Sequence, residues 1–362
     1  MTKARTNASV APAVGRNMII NGAMNVAQRS ASVAGLGAAT GMFTVDRWAT
    51  LLAATAGRFT MSQTADGPNG ISANCIKLDC TTADASIAAG EFLILEHQIE
   101  GQNVQRIGKG VAGAKQVTVS FYVKASAAFD FALEVFDNDH GRGCSKLFST
   151  TTDWVRQELT FPADVDDGSS PFGDDNASSV RLFFWLHSGS TFTSGTLQSG
   201  SFANATNGNR AAGIDSFFSN DANNFFITGV QMEVGPVATE FEQEQISTTL
   251  SKCQRYCHVI KGDEDDSTGL IGYSETTGAA RFGVLFPQTM RAVPTFALSG
   301  TCRAQGGTND SANFTGGLAI SAPNANGSAL HLTGTSGLGA ADRGYNLQCR
   351  ADDTTLSFFA EL

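Results

Sequence analysis

The sequence predicts an all-β protein: an N-terminal jelly-roll β-sandwich, a short linker helix and a smaller C-terminal β-sandwich domain. Three observations lead there. Side chains alternate with a period of two along several segments, glycine reaches 39 of 362 residues, and long Glu/Lys/Leu/Ala helical stretches are missing. Period-two alternation marks strands with one face in a core. Over 116–124, Val117, Val119, Phe121 and Val123 point one way, and Thr118, Ser120, Tyr122 and Lys124 the other. The next segment sets Phe129, Phe131, Leu133 and Val135 against Ala132, Glu134 and Phe136. A third, over 180–188, sets Leu182, Phe184 and Leu186 against Phe183, Trp185 and His187. Many such strands separated by polar turns point to a sandwich or jelly roll.

In chain order the expected parts are an N-terminal arm (1–15), the jelly roll (16–241), the linker helix (242–260) and the C-terminal β domain (261–362). Within the last, short β runs fall at 281–286, 295–298 and 356–359. Two long loops, 163–179 and 188–213, are rich in Ser, Gly, Asn, Thr and Asp. Loops longer than about 12–15 residues tend to be functional or mobile, and these are expected to decorate one end or edge of the sandwich. In the helix, apolar positions at Ile246, Leu250, Cys253, Cys257 and Ile260 form a heptad seam. Two readings stay open: a linker lying on a sandwich, or a self-associating helix whose oligomer contact is Ile246, Leu250, Cys253 and Cys257.

Composition excludes several classes. Hydrophobic residues make up 42% and charged residues 16%, against roughly 25% charged in an average globular protein, which argues against a helical bundle, a coiled-coil rod or a disordered chain. With 24 Lys+Arg against 34 Asp+Glu, a net charge of −10 and no basic run, nucleic acid is not the expected partner. No stretch approaches 18 apolar residues, so no membrane insertion is expected, and residues 1–16 have no apolar signal-peptide core. Seven cysteines at scattered positions fit reduced, buried thiols, and none of their spacings gives the paired C-x2-C of a zinc site.

Local catalytic signals are weak, and neither an enzyme activity nor a cofactor or metal is expected. Gly108-Lys109-Gly110-Val111-Ala112-Gly113 matches G-x-G-x-x-G, but a strand follows it where a nucleotide site needs a helix, so it reads as a hairpin turn. Five scattered histidines and the absence of a G-x-S-x-G elbow give a catalytic triad no support. Acidic turns at Asp137-Asn138-Asp139-His140-Gly141, at 164–167 with Asp174-Asp175, and at 263–266 read as solvated turns, although such loops can also hold Ca2+. Many carboxylates are present, with no means of choosing a glycosidase pair. The outward strand positions are more telling. Tyr122, Lys124, Glu134, Phe136, Phe183, Trp185 and His187 mix aromatic with polar groups, which suits a sugar's apolar C–H face and hydroxyl rim. Tyr122, Lys124, Phe136, Phe183, Trp185 and His187 are therefore the candidate glycan-binding residues. The alternative is burial against another sheet, a long loop or a neighbouring subunit.

Several segments match, in chain order, the motifs of one known family. Arg16-Asn17-Met18-Ile19-Ile20-Asn21-Gly22 resembles its opening N-L-I-I-N-G, and Phe43-Thr44-Val45-Asp46-Arg47-Trp48 its Y-T-A-D-R-W. His97-Gln98-Ile99-Glu100-Gly101 and 117–125 are similar to its Q-x-I-E and V-T-L-S-F-W-V-K-A strands. Residues 229–241, from Gly229-Val230-Gln231-Met232-Glu233-Val234-Gly235 to Phe241, closely match its closing V-Q-L-E-x-G-x-x-A-T-x-F. Cys253-Gln254-Arg255-Tyr256 and Phe286-Pro287-Gln288-Thr289-Met290-Arg291 through Thr295 are similar to its linker helix and to F-P-x-x-M-R-x-x-P-T. On these residues the chain resembles a family of bacteriophage tail-fibre and virion structural proteins carrying a carbohydrate-binding-module-like jelly roll; it departs at Ala27 and Ser30, where the family has an aromatic and a glycine.

The resemblance implies a non-enzymatic phage virion protein: a tail fibre or receptor-binding appendage, homotrimeric, made in the bacterial cytoplasm and assembled into the particle. Its implied partners are further copies of itself, other virion proteins and host-surface polysaccharide. Rival readings are a capsid decoration, head-fibre or connector protein binding only virion proteins, a glycan depolymerase, and a cellular carbohydrate-binding module.

Overall fold

The computed structural model describes residues 15–165, 170–306, 311–321 and 323–362. The expected N-terminal arm before Gly15, and Asp166 and Asp167 of the acidic run, lie outside the described residues. The chain divides into two compact units, Met1–Gln245 and Ile246–Leu362. Both are built almost wholly of strands, as the two-residue rhythm predicts. Among the described residues, no helix is long and apolar enough to cross a membrane.

The first unit is a sandwich of two six-stranded antiparallel sheets. Sheet I runs β1 (Ser32–Leu36), β3 (Arg58–Thr64), β4 (Cys75–Thr82), β12 (Asn224–Val234), β6 (Val117–Ala125) and β9 (Val155–Phe161). Sheet II runs β11 (Ala203–Asn204), β8 (Arg142–Ser149), β7 (Asp130–Asp137), β10 (Ser178–Ser188), β5 (Phe92–Glu100) and β2 (Trp48–Ala53). The inward residues of both sheets form one core. Phe121 lies at its centre, edge-on to Phe148 at 5.0 Å and to Phe184 at 5.1 Å between ring centroids, a favoured packing for aromatic rings.

Four of the segments that resemble the virion family, at 16–22, 43–48, 97–101 and 229–241, are bonded to one another in this unit. Asn21 adopts a left-handed conformation (φ 59°). Its side-chain amide donates to the Val26 and Asp46 carbonyls, and its oxygen accepts from the Asn25 and Val26 amides. The Trp48 indole donates to the Asn21 carbonyl at 3.3 Å. A Cβ on Gly22 would lie 2.1 Å from the Val230 carbonyl oxygen, so glycine alone permits the Val230 amide to bond the Gly22 carbonyl at 2.9 Å. Asn17 bridges to Val230 and Met232 on β12. The carboxylate of Asp46 accepts from Gln28 and Arg29, while Arg47 donates to the Gln98 carbonyl. These motifs hold the fold together.

His97 is part of that knot. It is fully buried against Trp48, and burial together with the Arg47 charge pushes its pKa down to about 3. An unfolded chain protonates the imidazole near pH 6.5. The unfolded state therefore binds more protons between about pH 6.5 and 3, and stability is present above that window and lost as pH falls through it. The expected slope is up to about 1.4 kcal/mol per pH unit from this one group. Burial raises the carboxyl pKa of Glu96 and Glu134 against their arginine partners, an effect of opposite sense. The slope lost on His97→Gln, measured by urea unfolding between pH 7 and pH 5, isolates the histidine.

The second unit opens with a helix, α1 (Ile246–Gln254). A three-stranded sheet follows, ordered β13 (Cys257–Gly262), β22 (Thr354–Phe359) and β16 (Thr295–Ser299). A seven-stranded sheet completes the unit, ordered β18 (Ser311–Phe314), β17 (Cys302–Gln305), β21 (Gly344–Cys349), β14 (Ser267–Thr276), β15 (Ala279–Leu285), β20 (Gly327–Thr333) and β19 (Leu318–Ser321). Its own core includes Phe282, Leu330, Leu347, Leu356 and Phe358. The Phe286–Arg291 motif is again structural: the Met290 amide bonds the Ala325 carbonyl and the Arg291 amide the Arg255 carbonyl.

The helix is shorter than the expected 242–260. The Tyr256 amide closes a turn on the Cys253 carbonyl, and Cys257 then pairs with Phe359 in the sheet. Of the expected oligomer contact, Cys253 and Cys257 are fully buried, Leu250 is half-buried and Ile246 is 55% exposed. The four residues thus form no continuous helical seam, because the last lies on a strand whose pairing with β22 competes with further helix.

Candidate functional site

Five of the six candidate glycan residues divide between opposite faces of the sandwich. Tyr122 and Lys124 lie on β6, pointing out from sheet I. Phe136 on β7 and Phe183 and Trp185 on β10 point out from sheet II. The sixth, His187, lies past a register irregularity on β10, is fully buried, pairs with the inward Leu93 and packs on Phe218 of the main core, so the expectation that it faces outward is corrected.

The outer face of sheet II is not open. Phe183 is 3% and Trp185 1% exposed, and Phe136 is half-buried. The chain between β10 and β12 crosses this face and seals it with Phe192, Ala211 and Ile214. Backbone bonds fasten it: Ser145 amide to Gln198 carbonyl, Ala205 amide to Gly141 carbonyl, and Asp215 amide to Asp130 carbonyl. Arg210 in that segment stacks on Phe136, Phe183 and Trp185 and donates to both oxygens of Glu134, at 3.0 and 3.1 Å. The Trp185 indole donates to Glu134 as well, at 2.9 Å. The expectation of an open aromatic face here is corrected: the 188–213 loop covers the sheet instead of decorating an edge, and these aromatics form a second small core.

The outer face of sheet I is different. Strand register sets Lys77, Phe226 and Lys124 side by side in one row, with Thr228, Tyr122 and Arg156 in the row two residues on. Trp154, just before β9, closes the first row, with its ring edge-on to Phe226 at 6.3 Å. Lys124 lies over both rings, 4.7 Å from Phe226 and 5.2 Å from Trp154. Trp154, Phe226, Tyr122 and Lys124 are all partly exposed. The Tyr122 ring packs close against Gly229. Gly229 has φ 61°, and a Cβ there would come within 2.9 Å of the tyrosine ring. The same residue sits in an irregularity of register between Thr228 and Gln231.

Charged groups ring these aromatics in matched pairs: Lys124 with Asp66 at 2.7 Å, Lys77 with Asp79 at 3.0 Å and Arg156 with Glu158 at 2.7 Å. Exposed pairs of this kind contribute only about 0–1 kcal/mol, so they yield readily to a ligand's hydroxyls. The Trp154 indole is held by the Asp66 carbonyl at 3.0 Å. Below this patch the face is closed by the chain after β12, where Thr239 and Glu242 bond Glu233 and Gln231. What remains open is an apolar platform with alternating donors and acceptors at its rim. Trp154 and Phe226 lie outside the alternating runs of the sequence, and only the strand register places Phe226 between Lys77 and Lys124.

Other sequence features resolve into structural roles. Lys109 of the G-x-G-x-x-G segment is buried, its ammonium 2.9 Å from Asp137, 2.8 Å from His140 Nδ1 and 2.9 Å from the Ser170 carbonyl. The acidic turn at 137–141 therefore receives the chain's own cation. All seven cysteines are buried free thiols.

No family model matches the chain, and no curated protein does. Among solved structures, the chain is similar to one described as "CBM4 structure and function", at 13% identity and a TM-score of 0.32 over 60% of this chain and 99% of that one. It is similar to TmCBM61 in complex with beta-1,4-galactotriose, at 12% identity and a TM-score of 0.30 over 60% and 99%. It is also similar to a family 11 carbohydrate-binding module from Clostridium thermocellum in complex with a beta-1,3-1,4-mixed-linked tetrasaccharide, at 10% identity and a TM-score of 0.28 over 58% and 99%.

Proposed function

We propose that the chain is a non-catalytic glycan-adhesion protein whose binding surface is the open patch of sheet I: Trp154, Phe226, Tyr122 and Lys124, with Asp66, Lys77 and Asp79 at the rim. The observation that carries this reading is the partly exposed aromatic platform flanked by polar pairs. A pyranose has an apolar face for the rings and hydroxyls for the rim. The ordered resemblance from Arg16 to Thr295 supports placing the protein on a phage particle as a receptor-binding appendage. In that setting, several linked copies, three in a homotrimer, would raise weak single-site contacts to useful avidity.

Trp154→Ala is expected to weaken binding to host-surface polysaccharide by about 0.5–1.5 kcal/mol, roughly two- to twelve-fold per site. It should leave the melting temperature nearly unchanged, because Trp154 lies outside the buried clusters. Binding is read by calorimetry on purified polysaccharide and by adsorption to host cells. Wild-type affinity in a folded Trp154→Ala variant would remove sheet I from the account.

A further inference from the structure

A second cluster lies at the end of the sandwich where the β4–β5 connection meets the last residues of β10. Asp84 and Glu91 come from the β4–β5 connection and His187 from the end of β10, and their ligating atoms all lie within 4.8 Å of one another. The three are 4%, 5% and 0% exposed. Asp84 is held by the Ala56 and Ser86 amides and the Thr55 hydroxyl. Two atoms facing the middle of the cluster, Glu91 Oε2 and His187 Nε2, are buried with no hydrogen-bond partner. Buried polar atoms are seldom left in that state.

We infer that Asp84, Glu91 and His187 form a binding site for a first-row divalent transition-metal ion of the Zn2+ type, tying the β4–β5 connection to the end of β10. Two carboxylates and a neutral imidazole supply a net charge matching a divalent ion, and imidazole favours zinc-like metals over Ca2+ or Mg2+. His187 Nε2 and Glu91 Oε2 lie 3.6 Å apart, and the edge of a tetrahedron with metal–ligand bonds of about 2.1 Å is about 3.4 Å. Nδ1 of His187 lies 2.7 Å from the Ser216 hydroxyl, the outer hydrogen bond that fixes a ligating imidazole's orientation and leaves Nε2 free to bind. The contrast with Asp137, Asp139 and His140, the other cluster of this kind among the described residues, is instructive: there Lys109 already supplies the cation.

The test uses the full chain, dialysed against chelator and titrated with Zn2+ by calorimetry and with Co2+ by visible absorption. The expected result is one ion bound, a rise in melting temperature and a Co2+ d–d band. Asp84→Asn and Glu91→Gln should each weaken that event by about 100-fold or more, and Ser216→Ala by roughly 10–100-fold. Absence of Zn2+ binding to the wild-type chain overturns the inference whatever the variants do. So does Zn2+ binding that survives unchanged in Glu91→Gln and Ser216→Ala, or a clear preference for Ca2+ over Zn2+.

Discussion

Trp185→Ala should cost about 3–5 kcal/mol of stability, the range for removing a large buried aromatic. The side chain is 1% exposed, packs against Phe92 and Phe192, and carries the Arg210 guanidinium on its face. Its removal opens a cavity under the 188–213 segment and takes away one of the donors to the buried Glu134 carboxylate. Urea unfolding should show a large fall in midpoint with an unchanged slope. The same substitution at Trp154 should cost about 1 kcal/mol or less, since a ring contact, a cation–π contact and the exposed indole bond to the Asp66 carbonyl are lost there. The ordering separates the two aromatic faces: sheet II's outer aromatics stabilise the fold, while sheet I's are available to a ligand. A Trp185→Ala protein as stable as wild type would mean that the loop does not seal the sheet.

Asp137→Ala is expected to have a similar effect, about 3–5 kcal/mol, because it strands a buried charge. The side chains of Lys109 and Asp137 are 1% and 2% exposed, with the ion pair at 2.9 Å. Asp137 also accepts from the amides of Asp139 and His140, so the turn loses its anchor. Adding Lys109→Met to Asp137→Ala should restore part of the loss, since the stranded ammonium is then gone. Denaturation midpoints of the two single variants and the double variant check this. A double variant less stable than Asp137→Ala alone would show that the charge is not the cause.

The strand period was legible because burial on one face imposes it, and it identified the inward residues of β6, β7 and β10 correctly. It could not say which sheet each strand joins. Tyr122 and Trp185 both read as outward, yet they point out of opposite sides, since sheet membership is decided by pairing with strands distant in sequence. The roof over sheet II was illegible for a related reason. Its apolar anchors, Phe192, Ala211 and Ile214, are scattered without periodicity through polar sequence. The heptad spacing at 246–260 read as one helix because periodicity does not register the pairing of Cys257 with Phe359. The family-like motifs were visible as an ordered series, but only the geometry shows Asn21, Gly22 and Trp48 interlocked with β12. His187 is far in sequence from Asp84 and Glu91, and the three match no spacing rule, so only the fold brings them together.

Of the three tryptophans, Trp48 and Trp185 are buried and Trp154 is partly exposed. Iodide quenching of tryptophan fluorescence therefore reads Trp154. With saturating oligosaccharide from the host surface, quenching should fall sharply in the wild-type chain, and this protection should vanish in Trp154→Phe. Bound sugar that leaves quenching unchanged, or protection that persists without Trp154, would place the ligand elsewhere and contradict the account.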